Sequence, residues 1–258
     1  MSFDLMFLGT CARDFSPKLK EECRDVFDFD ARRSSSLLVG GRFLIDCGTH
    51  TLESLRIAGV SREAITDLFV THLHSDHFDR ENIAALAEGR SEPLRVWVRE
   101  GAEHGLPDTV SVRFMTPFER YEIAKDVSLV GMPANHDAKA TPQHLLLELG
   151  GKKLLYACDG AWMLNETYYF LRKAALSVAV LDCTTGDYLG DFRMGEHNSI
   201  PMLRLMLPSM KTWGILNDES RVYLSHIAPS LHKPHAETAE ITREFGAILA
   251  YDGMKILL

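Results

Sequence analysis

Residues 71–79 read Thr-His-Leu-His-Ser-Asp-His-Phe-Asp, and four of them carry groups that bind metals, namely His72, His74, Asp76 and His77. Imidazole nitrogen and carboxylate oxygen are ligands that zinc, manganese and iron accept. The residues 66–71 are rich in apolar and β-branched side chains, which predicts a strand. Because side chains two apart in an extended segment share a face, His72 and His74 can point together. Asp76 and His77 follow where the chain turns toward a helix, so one loop can offer two ligand pairs to two adjacent metals.

The alternative explanation is a surface loop that happens to be rich in histidine. With 11 histidines in 258 residues, this four-residue pattern arises by accident in roughly one such chain in a thousand. We therefore favour the metal site. The pattern resembles the signature of the metallo-β-lactamase superfamily, and the resemblance covers nearly the whole chain.

The resemblance implies three more ligands downstream, which are a histidine, an aspartate that bridges the metals, and a second histidine. His136, Asp159 and His226 occur in this order, and each lies where a hydrophobic run stops and loop residues begin. Taken alone, Asp137 competes with Asp159 as a ligand. The run Tyr-Ala-Cys-Asp-Gly at 156–160 resembles the bridging-aspartate motif of the family, so we prefer Asp159.

The same resemblance assigns each ligand to one of two divalent ions. It gives His72, His74 and His136 to the first, Asp76, His77 and His226 to the second, and Asp159 to both. Two adjacent dications make hydroxide from a shared water at neutral pH and stabilise charge in the transition state. The expected reaction is hydrolysis by a metal-bridging hydroxide, with Asp76 counted among the catalytic residues. Nitrogen and oxygen ligands permit zinc, manganese or iron.

Asp46 ends a predicted strand over 42–46 and precedes Cys47 and Gly48. In the family, an aspartate at this place orients the metal loop without binding metal itself. An ordinary turn aspartate explains the position equally well, so both interpretations remain open.

His197 lies in a second polar stretch, Arg-Met-Gly-Glu-His-Asn-Ser at 193–199, just before a predicted helix that Asn198 or Ser199 could cap. This arrangement resembles the phosphodiesterase branch of the superfamily, which includes cyclic-phosphate phosphodiesterases and, more distantly, transfer-RNA 3′-end nucleases. The resemblance implies that His197 is a general acid that protonates the leaving alkoxide. A solvated loop histidine is the alternative.

Three hypotheses about function follow. The first is a dinuclear phosphodiesterase acting on a small or cyclic phosphodiester. The second is a hydrolase of esters, thioesters or lactones that uses the same metals, and His197 discriminates against it because an activated thioester needs no acid. The third is a non-catalytic metal-binding protein of a biosynthetic pathway.

The segment 12–33 is dense in charge and interrupts the first two strands. We favour a solvated loop, and the alternative is a flap whose Arg32 and Arg33 reach a substrate phosphate, since guanidinium matches phosphate oxygens. His232 follows the ligand His226 and is a candidate for the substrate entrance. For His232, a Pro-marked loop before a helix is a sufficient alternative explanation.

The predicted fold class is α/β (α+β), a four-layer αββα sandwich with the metallo-β-lactamase fold, formed by one domain over 1–258. Two halves, each rich in strands and then bearing helices, favour two sheets packed face to face with helices outside. Helices are predicted near 51–58, 80–87, 165–175, 199–209 and 236–245. Strands are predicted at about 3–9, 34–39, 42–46, 66–71, 177–182, 221–225 and 247–257, and over most of 94–157.

Composition limits the class of substrate and the cellular compartment that we expect for the protein. The chain is 46% hydrophobic without an 18-residue apolar stretch, its start at Met1 and Ser2 lacks a basic region before an apolar core, and its five cysteines have no regular spacing. A cytoplasmic protein without a membrane span is expected. The net charge of −8 and the missing basic stripe favour a small phosphodiester over long nucleic acid. A homodimer is the expected assembly.

Overall fold

The computed structural model describes residues 3–258, and Met1 and Ser2, which enter the expectation about a secretory signal, lie outside the described residues. Strands and helices follow one another as the hydrophobic pattern predicts. The strands are β1 (Asp4–Gly9), β2 (Ser36–Val39), β3 (Phe43–Ile45), β4 (Asp67–Phe69), β5 (Arg95–Arg99), β6 (Ser111–Met115), β7 (Arg120–Ala124), β8 (Val127–Pro133), β9 (Gln143–Leu149), β10 (Lys152–Ala157), β11 (Val178–Asp182), β12 (Arg221–Ser225), β13 (Ala247–Leu249) and β14 (Lys255–Leu257). The helices are α1 (Thr51–Ile57), α2 (Arg80–Ala87), α3 (Asn165–Phe170), α4 (Ile200–Thr212) and α5 (His235–Arg243).

The strands form two seven-stranded mixed sheets. The first has the order β14-β1-β2-β3-β4-β5-β6, and the second has the order β13-β12-β11-β10-β9-β8-β7. In the first sheet β3 to β6 are parallel, and in the second β10 to β13 are parallel. Because parallel strands end at the same edge of a sheet, the loops that follow them gather side chains from distant parts of the sequence.

Apolar side chains fill the space between the sheets and the space under each helical layer. Along β9, Leu145, Leu147 and Leu149 join the cluster between the sheets, whereas Leu146 joins the cluster under α3 and α4. This alternation is the period of two that a strand buried on both faces requires. A third cluster lies between the first sheet and α1 and α2. The predicted αββα sandwich is therefore confirmed.

The helix starts follow their capping residues. The Asp79 side chain accepts a hydrogen bond from the Asn82 amide at the start of α2, as predicted. The Ser199 side chain accepts from the Met202 amide at the start of α4. Each cap satisfies one of the amide groups that a helix start leaves without a partner. Between residues 3 and 258, no helix combines the length and the apolar character that a membrane span requires.

Two element predictions need correction. The run predicted as one strand over 247–257 forms β13 and β14, which belong to different sheets, because a turn at Gly253 (φ 85°) separates them. The helix predicted over 165–175 ends at Phe170, and the left-handed backbone of Lys173 (φ 63°) and Ala175 (φ 50°) cannot continue it.

Gly48 allows the loop with the histidine cluster to pack against the end of β3. A Cβ atom at this position would lie 1.8 Å from the carbonyl oxygen of Asp76. We expect Gly48→Ala to lower the free energy of unfolding by about 3 kcal/mol, because the backbone of the metal loop would have to move. Urea unfolding measures the change. Gly195→Ala is the control, because its Cβ would meet no atom within 4 Å, and equal midpoints for the two variants would contradict the argument.

Candidate metal centre

The seven predicted ligands come together between the two sheets, although they lie up to 154 positions apart in the sequence. The residues form two clusters in which the ligand atoms all lie within 4.8 Å of one another. The first cluster is His72, His74, His136 and Asp159, and the second is Asp76, His77, His226 and Asp159. This grouping matches the assignment that the sequence resemblance implies.

Asp159 is the carboxylate that the two clusters share. Its Oδ2 lies 3.2 Å from Nε2 of His72 in the first cluster. The same oxygen lies 3.3 Å from Nε2 of His226 and 3.5 Å from Nε2 of His77 in the second. Asp137, the alternative ligand, is partly exposed; its carboxylate caps the Lys139 amide at 3.0 Å and lies 3.5 Å from Nε2 of a single histidine, His74. The geometry thus favours Asp159 as a bridge.

Asp46 holds the metal loop from behind. Its Oδ2 accepts hydrogen bonds from Nδ1 of His77 at 2.7 Å and from the hydroxyl of Thr71 at 2.8 Å, and its Oδ1 accepts from the Thr71 amide at 2.8 Å. With Nδ1 held this way, Nε2 of His77 faces the shared carboxylate. An aspartate that orients a ligand in this manner fixes the tautomer and the ring direction.

Asp182 is a site residue that the sequence analysis missed. Its Oδ2 lies 3.0 Å from Nδ1 of His226 and 3.3 Å from Nδ1 of His197, and its Oδ1 accepts from the Asn198 amide at 2.8 Å. Although burial raises the pKa of Asp182, contacts with His197 and His226 outweigh it and hold that pKa well below its usual range. Its position at the end of β11, like that of the other site residues at strand ends, was the available signal.

His197 lies at the centre itself. Its Nδ1 is 2.9 Å from Oδ1 of Asp159, and its ring stacks at 5.5 Å on that of His226. Burial lowers the pKa of His197, but the carboxylates of Asp159 and Asp182 outweigh burial and raise it to about 11. The solvated-loop interpretation is therefore wrong for this ring, which is largely buried.

Three residues of the centre have left-handed backbones. Asp46 has φ 61°, Asp159 has φ 61° and His226 has φ 57°. Each lies one or two residues after the end of a strand, which is β3, β10 and β12 respectively. A residue other than glycine rarely adopts this conformation, and it persists where the surrounding structure determines it.

The charges and donor atoms of the centre fit divalent cations. Four buried carboxylates, those of Asp46, Asp76, Asp159 and Asp182, have only histidines as ion-pair partners among residues 3–258. Nε2 of His72 is buried, and its 3.2 Å approach to Oδ2 of Asp159 does not have the geometry of a hydrogen bond. Buried negative charge requires positive charge nearby. Two divalent ions ligated by nitrogen and oxygen would supply it and would give the unpartnered nitrogen a ligand role.

The two arginines predicted to reach a substrate phosphate have other partners. Arg33 is buried, donates to Glu53 at 2.9 Å and also bonds the carbonyl oxygen of Cys23. Arg32 is buried as well and donates to Thr10 and to the carbonyl oxygen of Ala250, both at 2.6 Å. These contacts anchor the charged segment to the body of the protein, so the structure corrects both the flap and the solvated-loop expectations at this end of the segment.

His232 lies behind the ligand His226 rather than beside the shared carboxylate. Its Nε2 donates to the carbonyl oxygen of Cys183 at 2.7 Å. Its ring lines a cavity of about 330 Å³ together with Arg32 and His235. No group of potential metal ligands found among residues 3–258 includes His232.

Comparison with solved structures decides the fold. The metallo-β-lactamase fold protein YhfI from Bacillus subtilis superposes with a TM-score of 0.75 at 14% identity, covering 100% of this chain and 99% of that chain. The chain has the metallo-β-lactamase fold. A diphosphatase from the PhnP family superposes with a TM-score of 0.73 at 19% identity, covering 100% and 98% of the two chains. The predicted fold is thus confirmed.

Sequence comparisons match shorter parts of the fold. A family model described as anti-Pycsar protein Apyc1 matches residues 33–85, which include the metal loop. A ribonuclease Z from Methanothermobacter thermautotrophicus is 38% identical over 63 residues, which are 22% of this chain and 20% of that protein. The matched segments span between 18% and 34% of the curated relatives' own lengths.

Proposed function

We propose that the protein is a metal-dependent phosphodiesterase that acts on a small or cyclic phosphodiester. The observation that carries the proposal is the position of His197, whose Nδ1 lies 2.9 Å from the carboxylate shared by the two ligand clusters. When a phosphodiester is hydrolysed, its alcohol leaves phosphorus as an alkoxide that needs a proton. A buried histidine at this place can provide that proton. The similarity to a ribonuclease Z and to a diphosphatase of the PhnP family agrees with phosphate chemistry.

The seven ligands would hold two divalent ions, with zinc, manganese and iron as candidates. When bound, the ions supply a water nucleophile at neutral pH and neutralise charge on the phosphoryl oxygens. Asp76 belongs to the second cluster, where its Oδ2 lies 3.5 Å from Nε2 of His77, and its proposed catalytic part is to help hold the ion of that cluster.

His197 delivers its proton from the second ring nitrogen. Nδ1 faces Asp159 and Asp182, at 2.9 and 3.3 Å, which leaves Nε2 as the nitrogen that can meet a leaving oxygen. The carboxylates favour the charged form of the ring, which is the form that can donate. Asp182 also fixes the direction of the ring, so the acid is oriented before substrate arrives.

The proposed substrate is small because the protein carries a net charge of −8, whereas long nucleic acid binds to basic surfaces. Transfer-RNA precursor belongs in the substrate panel nonetheless, because relatives named ribonuclease Z match the chain. All five cysteines are buried and free, which agrees with the proposed cytoplasmic location.

Hydrolysis of bis(p-nitrophenyl) phosphate tests the proposal. Metal-free protein reloaded with manganese or zinc is expected to turn it over. With bis(2,2,2-trifluoroethyl) phosphate, whose leaving group is a basic alkoxide that needs a proton, His197→Ala is expected to lower kcat by about a hundredfold or more, because the leaving group loses its acid. His104→Ala is the matched control, since His104 belongs to no group of potential metal ligands found among residues 3–258. Its kcat should stay within about twofold of the parent protein.

Two results would overturn the proposal. Protein that binds two metals without hydrolysing any phosphodiester, but hydrolyses an ester, thioester or lactone, would establish the alternative hydrolase. Protein that binds two metals and hydrolyses neither class would support a non-catalytic metal-binding role. Metal content measured on the same samples separates these results from failed reloading.

A further inference from the structure

A cavity of about 330 Å³ lies at the start of α5, and we call it the α5 cavity. The polar residues of its wall are Asp30, Arg32, His232, Lys233, His235 and Thr238. None of the seven predicted metal ligands, all of which belong to the described residues 3–258, lines it. Small-molecule sites have volumes of about 300–1,000 Å³. The α5 cavity is therefore large enough for a small ligand, and its residues are not those of the metal centre.

Arg32 brings a buried positive charge to the wall of this cavity. The residue is 2% exposed. Its guanidinium donates to the hydroxyl of Thr10 at 2.6 Å, to the carbonyl oxygen of Ala250 at 2.6 Å and to Nδ1 of His235 at 2.9 Å, which are neutral acceptors. The carboxylate of Asp252 is linked to Arg32 through the Thr10 hydroxyl, which donates to it at 2.8 Å. Because a buried charge requires opposite charge close by, the cavity beside Arg32 favours an anion.

The contact with Arg32 also fixes which nitrogen of His235 carries the proton. A guanidinium has only donors, so Nδ1 of His235 must accept, and the proton of the neutral ring lies on Nε2. Burial and the charge of Arg32 lower the pKa of His235, which keeps the ring neutral near pH 7. Among residues 3–258, the ring bonds Arg32 through Nδ1 and has no hydrogen-bond partner at Nε2. His235 thus adds an N–H donor to the wall of the cavity.

The first turn of α5 supplies backbone donors at the same place. Pro234 precedes the helix and makes no side-chain capping hydrogen bond, and the His235 amide donates to Asp30 at 2.7 Å. The amides of Ala236 and Glu237 follow in a turn where a helix leaves its amides without intrahelical partners. The helix dipole adds partial positive charge at this end. A helix start and an arginine are two groups that bind oxyanions in proteins.

Two exposed side chains of opposite charge line the α5 cavity. Lys233 lies 3.7 Å from the carboxylate of Glu237, and both residues are exposed. Asp30 is exposed as well and accepts from the His235 amide. Lys233 favours an anion in the cavity and Asp30 opposes one, so substitutions that remove these charges should change anion binding in opposite directions.

We propose that the α5 cavity binds a small phosphate-bearing compound, either inorganic phosphate or a phosphate monoester. Arg32 and the Nε2–H group of His235 donate to the phosphate oxygens, and the start of α5 stabilises the negative charge. The site goes beyond the proposed phosphodiesterase function. It does not depend on that function, because the residues of the cavity are not the metal ligands.

Calorimetry with inorganic phosphate tests the proposal on protein with and without metals, because ions at the metal centre would bind phosphate as well. We expect one phosphate per chain in folded metal-free protein, and Arg32→Gln should weaken this binding about tenfold or more. Lys233→Gln should weaken it about threefold, and Asp30→Asn should tighten it about threefold. Lys211→Gln, at an exposed position near the end of α4, is the control and should leave the affinity unchanged.

The same experiment identifies the source of the phosphate and the results that would overturn the proposal. Tighter binding of glycerol 3-phosphate than of inorganic phosphate would indicate a monoester, and equal or weaker binding would indicate the free ion. The proposal fails if folded metal-free protein binds no phosphate or binds acetate equally well. It also fails if Lys233→Gln and Asp30→Asn do not shift the affinity in opposite directions.

The two exposed charge variants keep the test decisive if a preparation fails. Arg32 is buried, so Arg32→Gln can disturb folding, whereas Lys233 and Asp30 are exposed. If metal removal unfolds the protein, the opposite shifts of Lys233→Gln and Asp30→Asn are measured on metal-loaded protein. Loss of hydrolysis in any assay would count against the phosphodiesterase function alone, since phosphate binding at the α5 cavity needs no turnover.

Discussion

Replacing Asp159 with asparagine is expected to lower kcat/KM by about a thousandfold or more and to reduce the bound metal from two ions to at most one per chain. The substitution keeps the shape of the side chain but removes the charge that both ligand clusters share. Oδ2 of Asp159 lies 3.2 Å from His72 and 3.3 Å from His226, so an amide nitrogen there would face nitrogens that should bind metal. Elemental analysis and hydrolysis assays on the same preparation measure both changes.

Asp137→Asn is the matched control for this experiment. Asp137 is the other carboxylate that the sequence offers at this end of the second sheet, but it is partly exposed, and of the ligand histidines it approaches only His74, with Nε2 at 3.5 Å. Its variant should keep both ions, with activity within about threefold of the parent. The bridge would be assigned to the wrong residue if Asp159→Asn kept two ions and a tenth of the activity. The same would follow if Asp137→Asn lost metal.

Asp182→Asn is expected to lower kcat about a hundredfold and to weaken metal binding about tenfold. The reason is that Asp182 orients two side chains, the ligand His226 at 3.0 Å and the acid His197 at 3.3 Å. The asparagine would lose the negative charge that favours the protonated form of His197. Steady-state kinetics and metal competition titration measure the two effects separately.

A double variant separates positioning from general damage. If Asp182 acts through His197, adding His197→Ala to Asp182→Asn should lower kcat little further, whereas independent effects would multiply. Asp67→Asn is the structural control, since Asp67 is equally buried but bonds Arg95 and Trp97 on the first sheet. Its variant should lose stability and keep kcat, and multiplied effects in the double variant would contradict the positioning role.

The local part of the centre was predictable from the sequence. His72, His74, Asp76 and His77 lie in one short stretch, so strand geometry and ligand chemistry suffice to predict a metal loop. The family resemblance then supplied His136, Asp159 and His226. The structure brings all of them together in two clusters that share one carboxylate.

Other features depend on contacts that a linear pattern does not contain. Asp182 ends a strand like many aspartates, and its importance arises from His226, which is 44 residues away. Arg32 and Arg33 look like surface charges because their neighbours are charged, yet Arg32 reaches a carbonyl oxygen 218 residues away. The predicted C-terminal strand is divided because β13 adds to the edge of the second sheet and β14 adds to the edge of the first.

The left-handed backbones of Asp46, Asp159 and His226 lower the stability of the protein at residues whose side chains the proposed chemistry needs. Each such residue carries about 1–3 kcal/mol of conformational strain. Glycine at any of the three positions would relieve the strain and remove a functional group. Selection for heat resistance alone would therefore favour substitutions at these three positions and remove the site. Stabilising substitutions should instead be made where the backbone is not strained.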